Sequence, residues 1–170
     1  MKKLILGLFA LGLTFPMMAQ IVKTEELEEV TVSPVNYKYL SDANSMEVVS
    51  MPVQTMARKV AAYNVKDADF YQDDYGLYTI NFYLPEGRVL AAYDPEGKLL
   101  RTVERFENIN LPLAVKNAIL ERFPNWTMTQ NNYLVRYKDG RGTDKVYKIK
   151  LENGNEVIRV KLDENGEYIE

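Results

Sequence analysis

Residues 110–124 read NLPLAVKNAILERFP. Asn110 can cap a helix, and Pro112 suits a first turn because the N–H it lacks would have no intrahelical partner. Leu111, Val115, Ala118, Ile119 and Phe123 fall on one face before Pro124 stops the run, so the spacing predicts an amphipathic helix over 111–123. A counterpart opens at Pro52. There Val53, Met56, Ala57 and Val60 recur at helical spacing, Tyr63 extends the stripe and Asn64 can end it, which predicts a helix over 52–64.

Alternating strands follow each helix. Tyr78, Ile80, Phe82 and Leu84 alternate; Pro85-Glu86-Gly87 turns the chain into Arg88 to Tyr93, and Asp94-Pro95-Glu96-Gly97 turns it again into Lys98 to Phe106. Further on, Tyr133, Val135 and Tyr137 alternate, then Tyr147, Ile149 and Leu151, then Ile158, Val160 and Leu162. Glu152-Asn153-Gly154 and Asp163-Glu164-Asn165-Gly166 supply the turns. Tyr78 to Tyr147 and Gly97 to Gly166 both span 69 positions, whereas Pro52 and Pro112 are 60 apart. The second half is therefore expected to carry extra residues between helix and strands, at the polar stretch Lys138 to Asp144. The pattern specifies an α+β fold made of two tandem helix-plus-antiparallel-sheet units, 51–109 and 110–170, with the helices on one face of the sheet.

The N-terminus reads differently. Lys2 and Lys3 precede the apolar run Leu4 to Phe15, which is short for a bilayer span and is followed by a plausible cut after Ala19, so residues 1–19 are expected to be a signal peptide and the protein periplasmic or secreted. Residues 20–50 hold no sustained period and are expected to be a largely irregular linker with a brief β-prone stretch at Val30 to Val32. Cutting after Ala19 removes two of 21 basic residues and none of the 24 acidic ones, leaving 19 against 24 and a net charge of −5. That balance offers no case for nucleic acid as a partner, which needs a clustered basic surface. With no cysteine there is no disulfide framework and no lipid attachment through an N-terminal cysteine, so a lipoprotein and stable membrane insertion of the mature chain are not expected.

The string Pro112-x-x-Val115-x-x-Ala118-Ile119-x-x-x-Phe123-Pro124, then Tyr147-x-Ile149-x-Leu151, then Val160-x-Leu162-Asp163-x-x-Gly166 resembles the PepSY-like domain of β-lactamase-inhibitor-like (BLIP-like) proteins exported by Bacteroidetes-type bacteria. The first half carries the same pattern weakened, without a proline after Tyr63. The resemblance implies a pair of helix-plus-sheet units and a role in binding a protein or peptide. Its motif consists of core and turn residues, so no functional residue is carried over.

Chemistry narrows by elimination. Without histidine there is no Ser-His-Asp triad or imidazole base, and without cysteine no thiol nucleophile or thiolate metal site. No phosphate-cradling glycine motif occurs, and no cofactor is implied. Carboxylates are the remaining acid/base set. Asp67, Asp69, Asp73 and Asp74 cluster before Tyr78, but Gln72 stands where a calcium loop needs glycine, and the reading favoured is a solvated acidic loop. The sharper candidate is a basic face. Lys148 and Lys150 alternate with Tyr147, Ile149 and Leu151, while Arg159 and Lys161 alternate with Ile158, Val160 and Leu162, so on adjacent strands the four cations share the side opposite the core. Arg136 can join them, with Tyr83, Tyr137 and Trp126 as candidate aromatic anchors. A solvated strand face kept soluble by charge would read the same way. The function expected is a non-catalytic binding or inhibitor-like module for an unknown, acidic protein or peptide. The alternatives are a carboxylate-only enzyme such as a glycan hydrolase, which needs two carboxylates in one concave pocket, and a passive envelope component.

Overall fold

The computed structural model describes residues 36–43 and 50–170. The expected signal peptide and the stretch Val30 to Val32 lie outside them. Ten elements follow in order: helix α1 (Tyr37–Ala43), helix α2 (Met51–Ala62), a short 3-10 turn (Val65–Asp67), strands β1 (Tyr78–Leu84), β2 (Gly87–Tyr93) and β3 (Leu99–Glu107), helix α3 (Leu113–Arg122), and strands β4 (Thr127–Lys138), β5 (Gly142–Asn153) and β6 (Glu156–Leu162). The strands form one antiparallel sheet in the order β1-β2-β3-β4-β5-β6, a meander in which each strand bonds to its neighbour in sequence. The fold is α+β.

One side of the sheet carries the core. Tyr78 and Phe82 of β1, Val89 and Tyr93 of β2, Phe106 of β3, Tyr133 and Val135 of β4, Ile149 and Leu151 of β5 and Leu162 of β6 form one apolar cluster with Val53, Met56 and Val60 of α2 and Val115 and Ile119 of α3. Both long helices thus pack on the same face, as their stripes require. α2 has Pro52 in its first turn and ends where Tyr63 turns extended. Its last carbonyls, which have no partner inside the helix, are met from outside: Tyr93 Oη donates to Val60 O (2.7 Å) and Asn36 Nδ2 to Ala61 O (3.3 Å). In α3 the capping position falls to Pro112, while Asn110 instead accepts from Lys116 Nζ (2.7 Å). The turn Asp163 to Gly166 lies against α3 so closely that a Cβ on Gly166 would stand 2.7 Å from Ala114 O, and the backbone there is left-handed at φ +85°.

Two expectations need correction. Residues 20–50 are not irregular throughout, because α1 lies inside them. Asn36 and Tyr39 of this segment are buried, and the Asn36 amide ties three pieces of chain together, donating to Ala61 O and Gly97 O (3.2 Å) and accepting from Leu99 N (2.7 Å). Seven residues give too short a period to be seen in sequence, yet the bonds of Asn36 just before them and the buried Tyr39, whose hydroxyl donates to Glu104, hold them in place. Secondly, the extra residues of the second half are not confined to Lys138 to Asp144. That stretch makes the turn between β4 and β5, with Gly140 and Gly142 left-handed, and the larger addition is β4 itself, twelve residues between α3 and β5.

Candidate functional site

The opposite side of the sheet has no helix on it among the described residues. Strict alternation sends every second side chain there, and register decides which of them meet. Lys148 stands opposite Lys161 and Lys150 opposite Arg159 across β5 and β6. Asn132 and Gln130 of β4 flank Lys148 and Lys150 from the other side. The four expected cations do share a face, and they line a shallow hollow of about 320 Å³ together with Gln130, Asn132 and the chain at Ile149 and Val160.

Their surroundings differ. Lys150 is half-buried and lies 2.5 Å from Glu152 Oε1, which holds the Glu152 carboxyl below its ordinary value chiefly through that hydrogen bond. Lys161 Nζ donates to the backbone oxygen of Glu170 (3.0 Å). Lys148 and Arg159 are exposed. Arg136 is on the same face but apart from the four, with the half-buried pair Leu134 and Val146 between it and Lys148, and Asp144 opposite it in register.

Arg136 belongs to a second basic group that the sequence reading missed. Arg88 of β2 stands opposite Arg105 of β3, Arg101 of β3 opposite Lys138 of β4, and Val103 opposite Arg136, all on the open face. Leu90 and Val103, both exposed, form an apolar strip among them. Arg105 reaches Glu107 at 3.1 Å and Asn132 Oδ1 at 3.1 Å, and with Tyr83, Arg88 and Glu107 it lines a second hollow of about 390 Å³ beside the β1–β2 turn. The signal for this group was the alternation Arg101, Val103, Arg105. It was masked because the inward set beside it, Thr102 and Glu104, is polar rather than apolar.

Of the candidate anchors, only Tyr83 is freely presented, at 65 % exposure. It stands on β1, four strands from β5, or roughly 19 Å at the usual spacing between neighbours. Tyr137 cannot serve. It faces the core, where its ring meets Tyr39 edge-on at 5.0 Å. Trp126 is half-buried against Phe123 at 6.2 Å.

The carboxylates behave differently from a catalytic pair. Asp67, Asp69, Asp73 and Asp74 are exposed, and among the described residues no group of three or more acids could hold a metal ion. Among the described residues the buried acid is Glu104, on the core side of β3, where its Oε1 accepts from Tyr39 Oη (2.9 Å) and Thr102 Oγ1 (2.6 Å). Burial pushes its carboxyl up, against the opposing pull of those two hydrogen bonds and of Lys145. Lys145, opposite Val135 on β5, is itself buried and pairs with Glu164 at 2.8 Å. Tyr39 closes this network from above.

No protein-family model matches the chain, and no curated protein matches it. The likenesses to solved structures are distant. A BLIP-like protein from Bacteroides fragilis is 18% identical over 58% of this chain and 69% of its own length, with a TM-score of 0.32. A DUF2874 family protein from Bacteroides ovatus is 18% identical over 74% of this chain and 87% of its own, with a TM-score of 0.35. Likenesses this weak carry neither fold nor function to this chain.

Proposed function

We propose that this protein is an exported, non-catalytic binding module that uses its open sheet face to recognise an acidic segment of a protein or peptide. The observation that carries this reading is an excess of positive charge on one side. In a chain of net charge −3, Arg88, Arg101, Arg105, Arg136, Lys138, Lys148, Lys150, Arg159 and Lys161 all project from one face of one sheet, where the acids on the strands are Glu107, Asp144 and Glu152. Cations gathered this way steer an acidic partner and fix its orientation, and the strip of Leu90 and Val103 supplies apolar area to bury. The other side of the sheet is taken up by the core and helices. Export follows from the N-terminal sequence reading, and no described helix is long and apolar enough to cross a membrane.

The test uses Lys148→Glu with Lys161→Glu, since Lys150 already has an acid beside it. Exposed charges contribute little to folding, so unfolding should shift by no more than about 0.5 kcal/mol per site. Capture of the partner recovered by affinity from envelope and culture-medium fractions should fall at least tenfold, and its salt dependence should flatten. Full retention of capture would make this face a solubilising surface only.

A further inference from the structure

The outer edge of β6 has an internal precedent in the same sheet. β1 and β2 pair from Tyr78 opposite Tyr93 to Leu84 opposite Gly87; 69 residues later β5 and β6 pair from Tyr147 opposite Leu162 to Asn153 opposite Glu156. The two hairpins share one register. Beyond each lies the same turn: Lys98 N donates to Asp94 Oδ1 and Asp94 N to Lys98 O, as Glu167 N donates to Asp163 Oδ1 and Asp163 N to Glu167 O. After the first turn the chain runs back along β2 as the nine-residue strand β3. After the second, the chain makes one bridge, Leu162 to Tyr168, and one hydrogen bond, from Ile169 N to Lys161 O (2.9 Å). Among the described residues nothing else pairs with that edge of β6.

The bond from Ile169 shows which way the edge points. Since Lys161 turns its carbonyl away from β5, and the pairing with β5 runs without a break, Arg159 and Val157 also turn their N–H and C=O groups outward. Unpaired edge groups of this kind are a template for another strand. We propose that β6 takes up an extended acidic segment of a partner protein as an added antiparallel strand, in the place that β3 holds on β2. Residues of that strand opposite Val157 and Arg159 would bond to them and project onto the open face, beside Arg159 and Lys161 and within one strand of Lys148. Acidic side chains belong there. The intervening residues would face the other way, alongside the half-buried Ile158 and Val160, and belong to apolar types. A second copy is a poor occupant, because antiparallel pairing of β6 with itself brings Arg159 and Lys161 against their own counterparts.

The proposal rests on the basic face being a recognition surface, and its test separates the two. The probe is a capped decapeptide of alternating Glu and Val, with one analogue N-methylated on every Glu and another on every Val. In an added strand the Glu nitrogens face β6 and the Val nitrogens face solvent. The Glu-methylated analogue should therefore bind at least tenfold more weakly than the parent, and the Val-methylated one within twofold of it. Val157→Pro removes an outward N–H at a position where an edge strand tolerates proline, and should weaken the parent peptide by a similar factor. If that variant does not fold, the methylated pair decides alone. Equal binding of both analogues would overturn the added strand, while sensitivity to Lys148→Glu with Lys161→Glu would still uphold the face. No binding of the parent peptide, or a dimer of the protein abolished by Val157→Pro, would also overturn it.

Discussion

Replacing Tyr39 by alanine is expected to destabilise the protein by about 3–5 kcal/mol, the range for removing a large aromatic from a closed interior. Tyr39 is 1 % exposed although it comes from a helix of only seven residues, and with the half-buried Leu40 it packs α1 against the core. Its ring meets Tyr137, and its hydroxyl donates to Glu104. Truncation removes both and opens a path for water to a buried carboxyl. Tyr39→Phe keeps the ring and loses only the hydrogen bond, which should cost about 1–3 kcal/mol. Urea unfolding midpoints of the two variants measure the difference. An alanine variant within about 1 kcal/mol of the parent would mean that α1 is not docked on the sheet.

Glu104 gives the second large effect and the pH dependence. Glu104→Ala leaves the buried hydroxyls of Tyr39 and Thr102 without their acceptor and should cost about 2–6 kcal/mol in all, at roughly 1–3 for each stranded group. Glu104→Gln keeps an acceptor of the same shape and removes the charge. Burial raises the folded-state carboxyl above its unfolded value, so between those two values the folded protein holds a proton that the unfolded chain has released. The contribution of this group is complete below the ordinary carboxylate range near 4.3 and is lost as pH rises through the folded value. Stability of Glu104→Gln relative to the parent should accordingly grow as pH rises above the ordinary carboxylate range and level off once pH has passed the raised folded value. A difference that does not change with pH would place Glu104 in contact with water.

The long elements were legible because their periods were. α2, α3 and five of the six described strands announce themselves through stripes of three to five apolar residues, β3 through the turn that precedes it, and the cations of β5 and β6 could be placed because Tyr147, Ile149 and Leu151 mark the inward set without interruption. α1 could not be read: the string YKYLSDA is too short to show a period, and burial of Tyr39 is decided by partners 65 and 98 positions away in sequence. The basic group of β2 to β4 was hidden for a different reason. Thr102 and Glu104 point inward where an apolar pair would be expected, which erased the contrast that assigns Arg101 and Arg105 to the outside. For Tyr137 the sequence left an anchor and a core residue equally open, and its place in the inward alternation of β4 with Tyr133 and Val135 decides for the core.

The meander has a consequence for the order in which the molecule assembles. Each strand meets the one made just before it, and four of the five connections are tight turns that close a short loop at small entropic cost, while α3 lies between β3 and β4. The contacts of the segment 36–39 with Gly97, Leu99 and Glu104 span 61 to 65 residues and gain nothing until that part of the sheet exists. Its docking is therefore expected in the last stage of assembly, after the barrier. Changes at Asn36 and Tyr39 are then expected to alter how long a folded molecule survives more than the speed at which it is made, which folding and unfolding rates of Tyr39→Phe would check.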